Sequence, residues 1–285
     1  MHVAEIHSRQ LSGLDELETN EHQRPVIATL WQSVWPKIAA VSLALCLWQV
    51  VVWSGWKPDY ALPGPNTVLP RLGEELRSTL TWRAIGTTLR RAAVGFLLAI
   101  GIGLTIGLAV SRFRVLRTAV GSMISGLQTM PSIAWFPLAL ILFKRSEAAI
   151  LFVVVLGAAP SIANGLISGI DQIPPILLRA GRMLGATGVD RYRHVVLPAA
   201  LPSFVAGLKQ GWAFVWRSLM AGELIVIIAN KPSIGTRLTF EREFADSAGL
   251  IAWMIIILLI GVIIDSLVFG TVERTIRDRR GLTAT

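Results

Sequence analysis

The chain has 285 residues, of which 53% are hydrophobic and only 16% are charged, and its mean hydropathy is +0.60. Because a soluble domain carries about 25% charged residues, this composition indicates an integral membrane protein. The net charge of +9 does not indicate nucleic-acid binding, because Lys and Arg occur in short clusters between apolar runs, as loops at a membrane surface do.

The N-terminal segment 1–35 is expected to be a cytoplasmic tail. It does not resemble a signal peptide, because it lacks a short apolar core and is acidic, with Glu5, Asp15, Glu16, Glu18 and Glu21. Residues 36–84 are expected to hold the first transmembrane helix and then an external amphipathic segment. The single cysteine, Cys46, lies in that first helix and indicates neither a disulfide nor a metal cluster.

Six apolar runs predict about six transmembrane helices. A helix needs about 20 apolar residues to cross the hydrocarbon, and lipid leaves no other way to satisfy the backbone of such a run. Four runs carry no charge, and they are 38–56, 92–111, 118–143 and 148–170. Two more are interrupted, run 195–230 by Lys209, Arg217 and Glu223, and run 247–272 by Asp265. The predicted fold class is therefore an all-α membrane protein.

Small residues and prolines predict how these helices pack. Glycines four residues apart allow close approach of neighbouring helices, as at Gly103 and Gly107 and at Gly165 and Gly169. Pro131, together with Pro137, predicts a kink in the third run. Arginine clusters at 112–117 and 274–280 favour a topology in which both termini are cytoplasmic.

The segment between the fourth and fifth runs is too patterned to be a simple connection. Pro174 and Pro175 suit a helix start, after which five apolar residues share one face: Ile176, Leu177, Ala180, Met183 and Leu184. Gly185 can end that helix, and Thr187 with Asp190 can cap a second helix that runs to Val196. The pattern predicts a helix-turn-helix outside the membrane. It could dock on a partner protein or pack on its own chain.

The spacing inside this segment carries a family resemblance. Arg179-Ala180-Gly181 is followed after three residues by Gly185, and after nine more by Val195, Val196 and Leu197-Pro198. This spacing resembles the cytoplasmic EAA loop of permease subunits of binding-protein-dependent ABC importers. In that family Glu stands at the position of Arg179, Ala at that of Gly181 and Ile at that of Val195.

Four further segments are similar to the nitrate, sulfonate, taurine and bicarbonate branch of that family. They are Leu62-Pro63-Gly64-Pro65, the stretch Met130 to Leu138, Gly207-Leu208-Lys209 and Ala221-Gly222-Glu223-Leu224. The resemblance implies a permease core at 85–275, a coupling loop at 171–198 and a cytoplasmic tail at 276–285. It implies that the loop residues facing the ATPase are Arg179, Ala180, Gly181, Gly185, Ala186, Val195, Leu197 and Pro198.

The resemblance also implies the partners of the chain. They are a dimer of ABC ATPase subunits that binds ATP and Mg, a second permease copy and an extracytoplasmic solute-binding protein, in a bacterial inner membrane. The solute is expected to be a small anion such as a sulfonate, taurine, nitrate or bicarbonate. The alternative class is a self-contained secondary carrier or channel, which has no need of a docking loop.

Charged groups within the apolar runs are candidates for the solute path, because such groups are costly in lipid. Arg217 can hold an oxyanion with its planar fork. Glu223 lies about 240° around the helix from Arg217, so these two should not pair directly. Lys209, which could also extend to the interface, and Trp135 complete the candidate path. The alternative for Arg217 is an interhelical pair with Glu223 or Asp265.

Enzyme functions are excluded by the residue inventory. The four histidines, His2, His7, His22 and His194, all lie outside the apolar runs, so an intramembrane serine protease or zinc protease would lack its base or its ligands. No glycine-rich phosphate loop followed by Lys-Ser or Lys-Thr occurs. We therefore expect no catalytic residue, no metal and no cofactor in this chain, with ATP hydrolysis in a separate subunit.

Overall fold

The structure is a computed structural model that describes residues 26–279, so most of the predicted N-terminal tail and the end of the C-terminal tail lie outside it. Within 26–279 every regular element is helical. The α-helices are α1 (Val26–Trp53), α2 (Pro65–Arg77), α3 (Thr79–Arg112), α4 (Arg114–Thr129), α5 (Phe136–Phe143), α6 (Glu147–Asp171), α7 (Pro175–Met183), α8 (Gly188–Arg191), α9 (Leu197–Ile225), α10 (Ile234–Glu243), α11 (Ser247–Ile264) and α12 (Gly270–Arg279).

Four helical stretches are long and apolar enough to cross a membrane. They are Val34–Trp53, Thr79–Arg112, Glu147–Asp171 and Ser247–Ile276, and they correspond to four of the six predicted runs, the first of which ends at Trp53 rather than at residue 56. Helix α1 begins at Val26, inside the segment 1–35 that was expected to be a tail. Helix α1 and the turn after it, up to Thr67, form one compact unit, and the chain from Val68 onward forms a second.

The third predicted run is bent more sharply than a kink. Helices α4 and α5 meet at 101° across a 3-10 turn at Ser132–Trp135. Pro131 precedes this turn, and a proline cannot donate the backbone hydrogen bond that would continue α4. Together the two helices form a broken span or a re-entrant loop.

The fifth predicted run is the continuous helix α9 of 29 residues. Its length of about 43 Å is ample for a crossing. Lys209, Arg217 and Glu223 interrupt its apolar sequence and it is not among the four candidate spans, so its crossing stays a prediction. The all-α membrane fold is confirmed, with four apolar spans in the described residues, or five if the bent pair crosses as one span.

Helix α6 lies at the centre of the larger unit and packs between α3 and α9. Buried side chains from all three helices, such as Ala99, Ile162 and Val215, form one apolar core. A methyl group added at Gly165 would lie 2.6 Å from the Cα of Gly207, so the backbones of α6 and α9 are in direct contact there. The close helix approach predicted from the spaced glycines is confirmed.

Candidate coupling loop and charged groups of the spans

The first helix of the loop, α7, ends in a Schellman motif at Gly185. The Ala186 N–H donates to the Gly181 carbonyl at 2.9 Å, and the Gly185 N–H donates to the Arg182 carbonyl at 3.0 Å. Gly185 has φ +82°, in the left-handed region where a side chain is strained. The predicted helix end at Gly185 is confirmed.

The second helix of the loop differs from the prediction in two ways. The Thr187 side chain makes no capping hydrogen bond, and its carbonyl instead accepts from the Asp190 N–H at 3.1 Å. The helix does not stop at Val196, because a π-helical turn at Tyr192–Val196 leads directly into α9. A proline at 198 lacks an N–H and would crowd the carbonyl four residues earlier, and the wider π turn accommodates it.

The two arms of the loop contact each other at Gly181. Gly181 is buried, and a methyl group added there would lie 2.7 Å from a Cγ atom of Val195. These are two of the positions at which the chain departs from the family pattern. Because a methyl group at 181 would overlap the Val195 side chain, glycine at this position lets the two arms approach this closely.

The tip of the loop exposes large apolar side chains. Met183 and Leu184 are each 88% exposed, and Val189 is 80% exposed. Three arginines, Arg179, Arg182 and Arg193, are also exposed around this surface. The loop therefore does not fold its apolar face onto the described part of its own chain, which was one of the two alternatives. Exposed apolar groups of this size are typical of an interaction site.

Glu223 lies in a buried ionic network rather than in an open path. Its carboxylate accepts from the Arg91 guanidinium at 2.8 Å, from Thr88 Oγ1 at 2.9 Å and from the Gly235 N–H at 3.1 Å. Glu223 is completely buried and Arg91 is 3% exposed. As predicted, Glu223 does not pair with Arg217. The carboxylate connects α9 with α3 and with the start of α10.

This network continues to Glu147, the first residue of α6. Arg91 lies 3.4 Å from the Glu147 carboxylate, and Arg90 and Lys231 each lie 3.1 Å from it. Two residues with positive φ, Lys144 and Asn230, lie close in sequence to Glu147 and Lys231. Four segments are therefore tied together at this end of the spans: α3, α6, α9 and the connection between α9 and α10.

Arg217 lies on an open groove between α9 and α11. The groove has a volume of about 730 Å³ and is lined by Trp212, Ala213, Trp216, Arg217, Met254, Ile257, Leu258, Gly261, Val262, Asp265 and Ser266. The guanidinium donates through Nε to the Ala213 carbonyl at 3.1 Å and lies 4.9 Å from the Phe214 ring centre. Within residues 26–279 no carboxylate pairs with it. Its fork remains available to an anion.

Lys209 bridges α9 to the end of the last span. Its Nζ lies 3.6 Å from Asp265 Oδ1 and 3.4 Å from Glu273 Oε1. The predicted alternative partner of Arg217, Asp265, is thus engaged by Lys209 instead. Trp135 lies in the 3-10 turn after α4, half-buried against the core. Next to it, Ser218 donates to Ser132 at 2.8 Å, which fixes this turn to α9.

A second charged cluster ties α2 to α10 and α11. Arg71 lies 3.2 Å from Asp246, and Arg237 lies 3.0 Å from Glu241. Thr81 donates to the buried Glu75 at 3.0 Å. Burial raises the pKa of Glu241; Arg237 and Arg71 oppose this rise, and the carboxylates of Glu75 and Asp246 add to it.

The sequence prediction missed the partners of Glu223. Thr88 and Arg91, together with Glu147, which also pairs with Arg91, lie far from it in the chain, so no spacing rule joins them. A weak signal exists, because Arg91 immediately precedes the apolar run 92–111 and Glu147 immediately precedes 148–170. A cation at the end of one span is a natural partner for carboxylates near the ends of two others.

Comparison with known proteins identifies the family. Residues 99–277 match the family described as binding-protein-dependent transport system inner membrane component. This chain belongs to that family. The resemblance seen in the loop is confirmed, and the chain is an ABC transporter permease rather than a self-contained carrier.

Curated relatives fall in the expected branch. The chain is 30% identical to a protein of Methanocaldococcus jannaschii named as an ABC transporter permease, with 80% of this chain and 86% of that protein covered. It is 26% identical to the aliphatic sulfonates transport permease SsuC of Bacillus subtilis, with 80% and 81% covered. It is 28% identical to the nitrate import permease NrtB of Synechococcus elongatus, with 67% and 71% covered.

A solved structure shows the same fold. A chain of the inward-facing MetNI methionine ABC transporter superposes with a TM-score of 0.59 at 20% identity. The alignment covers 69% of this chain and 96% of that chain. The likeness confirms the helical architecture of an ABC transporter membrane subunit.

Proposed function

We propose that the chain is the permease subunit of an ATP-driven importer for a small anion of the sulfonate, taurine, nitrate or bicarbonate type. The relatives named for sulfonate and nitrate transport support this solute class. A guanidinium on a groove between two long helices, without a carboxylate partner in the described chain, supports an anion as well. The loop 171–198 would transmit the motion of a separate ATPase to the spans.

The observation that carries the proposal is the exposed apolar tip of the loop. Met183, Leu184 and Val189 would face water in the isolated chain, and removing such surface from water stabilises by about 25 cal/mol per Å². The tip is held rigidly, because the Schellman motif at Gly185 and the contact between Gly181 and Val195 fix both arms. A rigid apolar tip with basic neighbours is suited to a groove on a partner.

The proposed assembly has two permease copies, two ATPase subunits that bind ATP and Mg, and an external solute-binding protein. In this arrangement both chain termini and the loop are cytoplasmic. Arg179 adds a cation where the family has Glu, so the contact at this position would need an acidic or polar surface on the ATPase. Closure of the ATPase dimer would move the loop and, through it, the start of α9.

Arg217 is the proposed contact for the anion. Glu223 and Lys209 also belong to the predicted path, but both have charged partners within the chain. Trp135 stays a candidate because its turn joins the bent pair to α9 through Ser132 and Ser218. Arg217 and its groove are therefore the first candidates for a solute path along α9.

The docking role is tested by charging the loop tip. Leu184→Asp places a charge in the proposed apolar contact, so it should prevent co-purification of the partner ATPase while the permease still inserts in the membrane. Val115→Asp is the matched control, because Val115 is 81% exposed but lies outside the loop. Retention of the ATPase by Leu184→Asp would refute the docking role.

A further inference from the structure

The helix that leaves the coupling loop continues as one helix to Lys209, with Pro202 inside it. Gly188–Arg191, the π-helical turn Tyr192–Val196 and α9 follow one another directly. The Leu197 N–H donates to the Tyr192 carbonyl, which keeps the hydrogen bonding continuous through the turn. Lys209 lies about 18 Å along this helix from Leu197. A displacement of the loop therefore reaches Lys209.

The last span carries a second π-helical turn beside Lys209. This turn, Asp265–Phe269, joins α11 to α12, and its closing bond runs from the Gly270 N–H to the Asp265 carbonyl. Lys209 contacts Asp265 at the start of the turn and Glu273 beyond its end. One ammonium group thus bridges the two sides of an irregular turn, a type of element that is frequent at functional sites.

Aromatic packing reinforces the same joint. Phe269, the last residue of the π turn, is buried, and its ring centre lies 6.5 Å from that of Trp212 and 6.3 Å from that of Phe96. Trp212 and Phe96 meet edge to face at 5.4 Å. Trp212 follows Lys209 by three residues and therefore lies on the same side of α9.

We infer that Lys209 is a positioning residue that couples the movement of α9 to the last span, rather than a ligand for the solute. The inference rests on the proposed docking of loop 171–198. The aromatic contacts hold the two helices together at the π turn, and the ammonium links Asp265 to Glu273 across it. Without the ammonium, the two carboxylates lose the cation that pairs with both of them.

The test uses two reporter cysteines, Thr187→Cys in the loop and Thr271→Cys in α12, each in a Cys46→Ala background. The full-length permease is purified with its ATPase, and thiol-labelling rates are measured with and without ATP plus vanadate. With Lys209 present, nucleotide should change the rate at both sites. In Lys209→Met, nucleotide should still change the labelling rate at position 187. At position 271 the rates with and without nucleotide should become equal.

Lys209→Arg should restore the response at position 271, because it keeps a cation in reach of both carboxylates. Lys231→Met is the matched control, since it removes an ion pair of the same kind at the other end of the spans, and both reporters should still respond. A persistent response at position 271 in Lys209→Met would overturn the inference, as would its absence in the protein that retains Lys209.

The outcomes separate this inference from the proposed function. If position 187 does not respond to nucleotide even with Lys209 present, the docking role fails and the inference with it. If Lys209→Met does not assemble, the variant Asp265→Asn with Glu273→Gln removes both acceptors and keeps the lysine. This double variant should lose the response at position 271, and a response there would equally overturn the inference.

Discussion

The loop 171–198 is held by residues that are close in sequence, whereas the network around Glu223 joins residues far apart. The Schellman motif at Gly185 closes within six residues, from Gly181 to Ala186. The contact between Glu223 and Arg91 spans 132 positions and is buried. The loop can therefore change its surface without affecting the fold, while the network cannot lose a member without affecting the packing of three helices.

The largest effect on stability is expected in the buried network. Glu223→Ala removes the carboxylate that accepts hydrogen bonds from the buried Arg91 guanidinium, from Thr88 and from the Gly235 N–H. The free energy of unfolding should therefore fall by about 3–5 kcal/mol. The amount of folded protein in the membrane and the Tm of the purified permease measure this loss. Glu243→Ala, at an exposed glutamate, should change both by little.

A double variant sharpens this prediction. Glu223→Leu with Arg91→Met replaces both charges by apolar groups, and it should recover much of the stability lost by either change alone. If the double variant loses as much free energy of unfolding as the two single variants together, the hydrogen bonds that Thr88 and Gly235 donate to Glu223 stabilise the site more than the ion pair does.

The second effect is expected at Gly185. Its φ of +82° costs a β-branched residue about 1–2 kcal/mol, although nothing lies within 4 Å of an added methyl group. Gly185→Val should therefore abolish uptake and weaken ATPase binding, whereas Gly185→Asn, which tolerates this conformation better, should retain part of both. Gly101→Val is the control, since Gly101 is equally open but has no positive φ. Normal uptake by Gly185→Val would contradict the loop account.

A smaller gain in stability is expected at Ala245. The end of α10 repeats the hydrogen bonds of the Gly185 motif, because the Asp246 N–H donates to the Glu241 carbonyl at 2.9 Å. Ala245 takes the position of the glycine and has φ +55°. Ala245→Gly should raise the free energy of unfolding by about 1 kcal/mol. The same change in the interior of α3, Ala93→Gly, should lower it by about 0.5–1 kcal/mol. Opposite shifts in Tm would establish that φ, and not side-chain loss, sets the effect.

Arg217 should affect transport with little effect on stability. Arg217→Lys keeps the charge but loses the planar fork, so uptake per assembled complex should fall, and Arg217→Ala should lower it further. The free energy of unfolding should change by less than about 0.5 kcal/mol, because the side chain is exposed. Normal uptake per complex by Arg217→Ala would remove this residue from the solute path.

The sequence was sufficient for the features that local chemistry determines. Gly185 and Pro131 act through the backbone of their own segments, so a helix end and a bend could be predicted, although the bend of 101° is sharper than the predicted kink. The spaced glycines predicted close helix approach because only a residue without a side chain allows it. The capping role of Thr187 was wrong because the backbone carbonyl, not the side chain, accepts the hydrogen bond there. The end of the second loop helix was wrong because a π turn accommodates Pro198.

Long-range partners could not be predicted in the same way. Geometry excluded a pair between Arg217 and Glu223, but it could not assign Glu223 to Arg91 or Lys209 to Asp265 and Glu273. These pairs depend on which helices are neighbours and on their rotation, and a single sequence specifies neither. For this reason the predicted solute path contained two charges that have partners within the chain.

The central claim, that loop 171–198 meets the ATPase in the cytoplasm, is tested most directly by a cysteine at position 187. Thr187→Cys in a Cys46→Ala background should resist an impermeant thiol reagent in intact cells and react in permeabilised cells that lack the ATPase. Co-expression of the ATPase should protect the cysteine in permeabilised cells. Labelling of position 187 from outside intact cells, or equal labelling with and without the ATPase, would contradict the account.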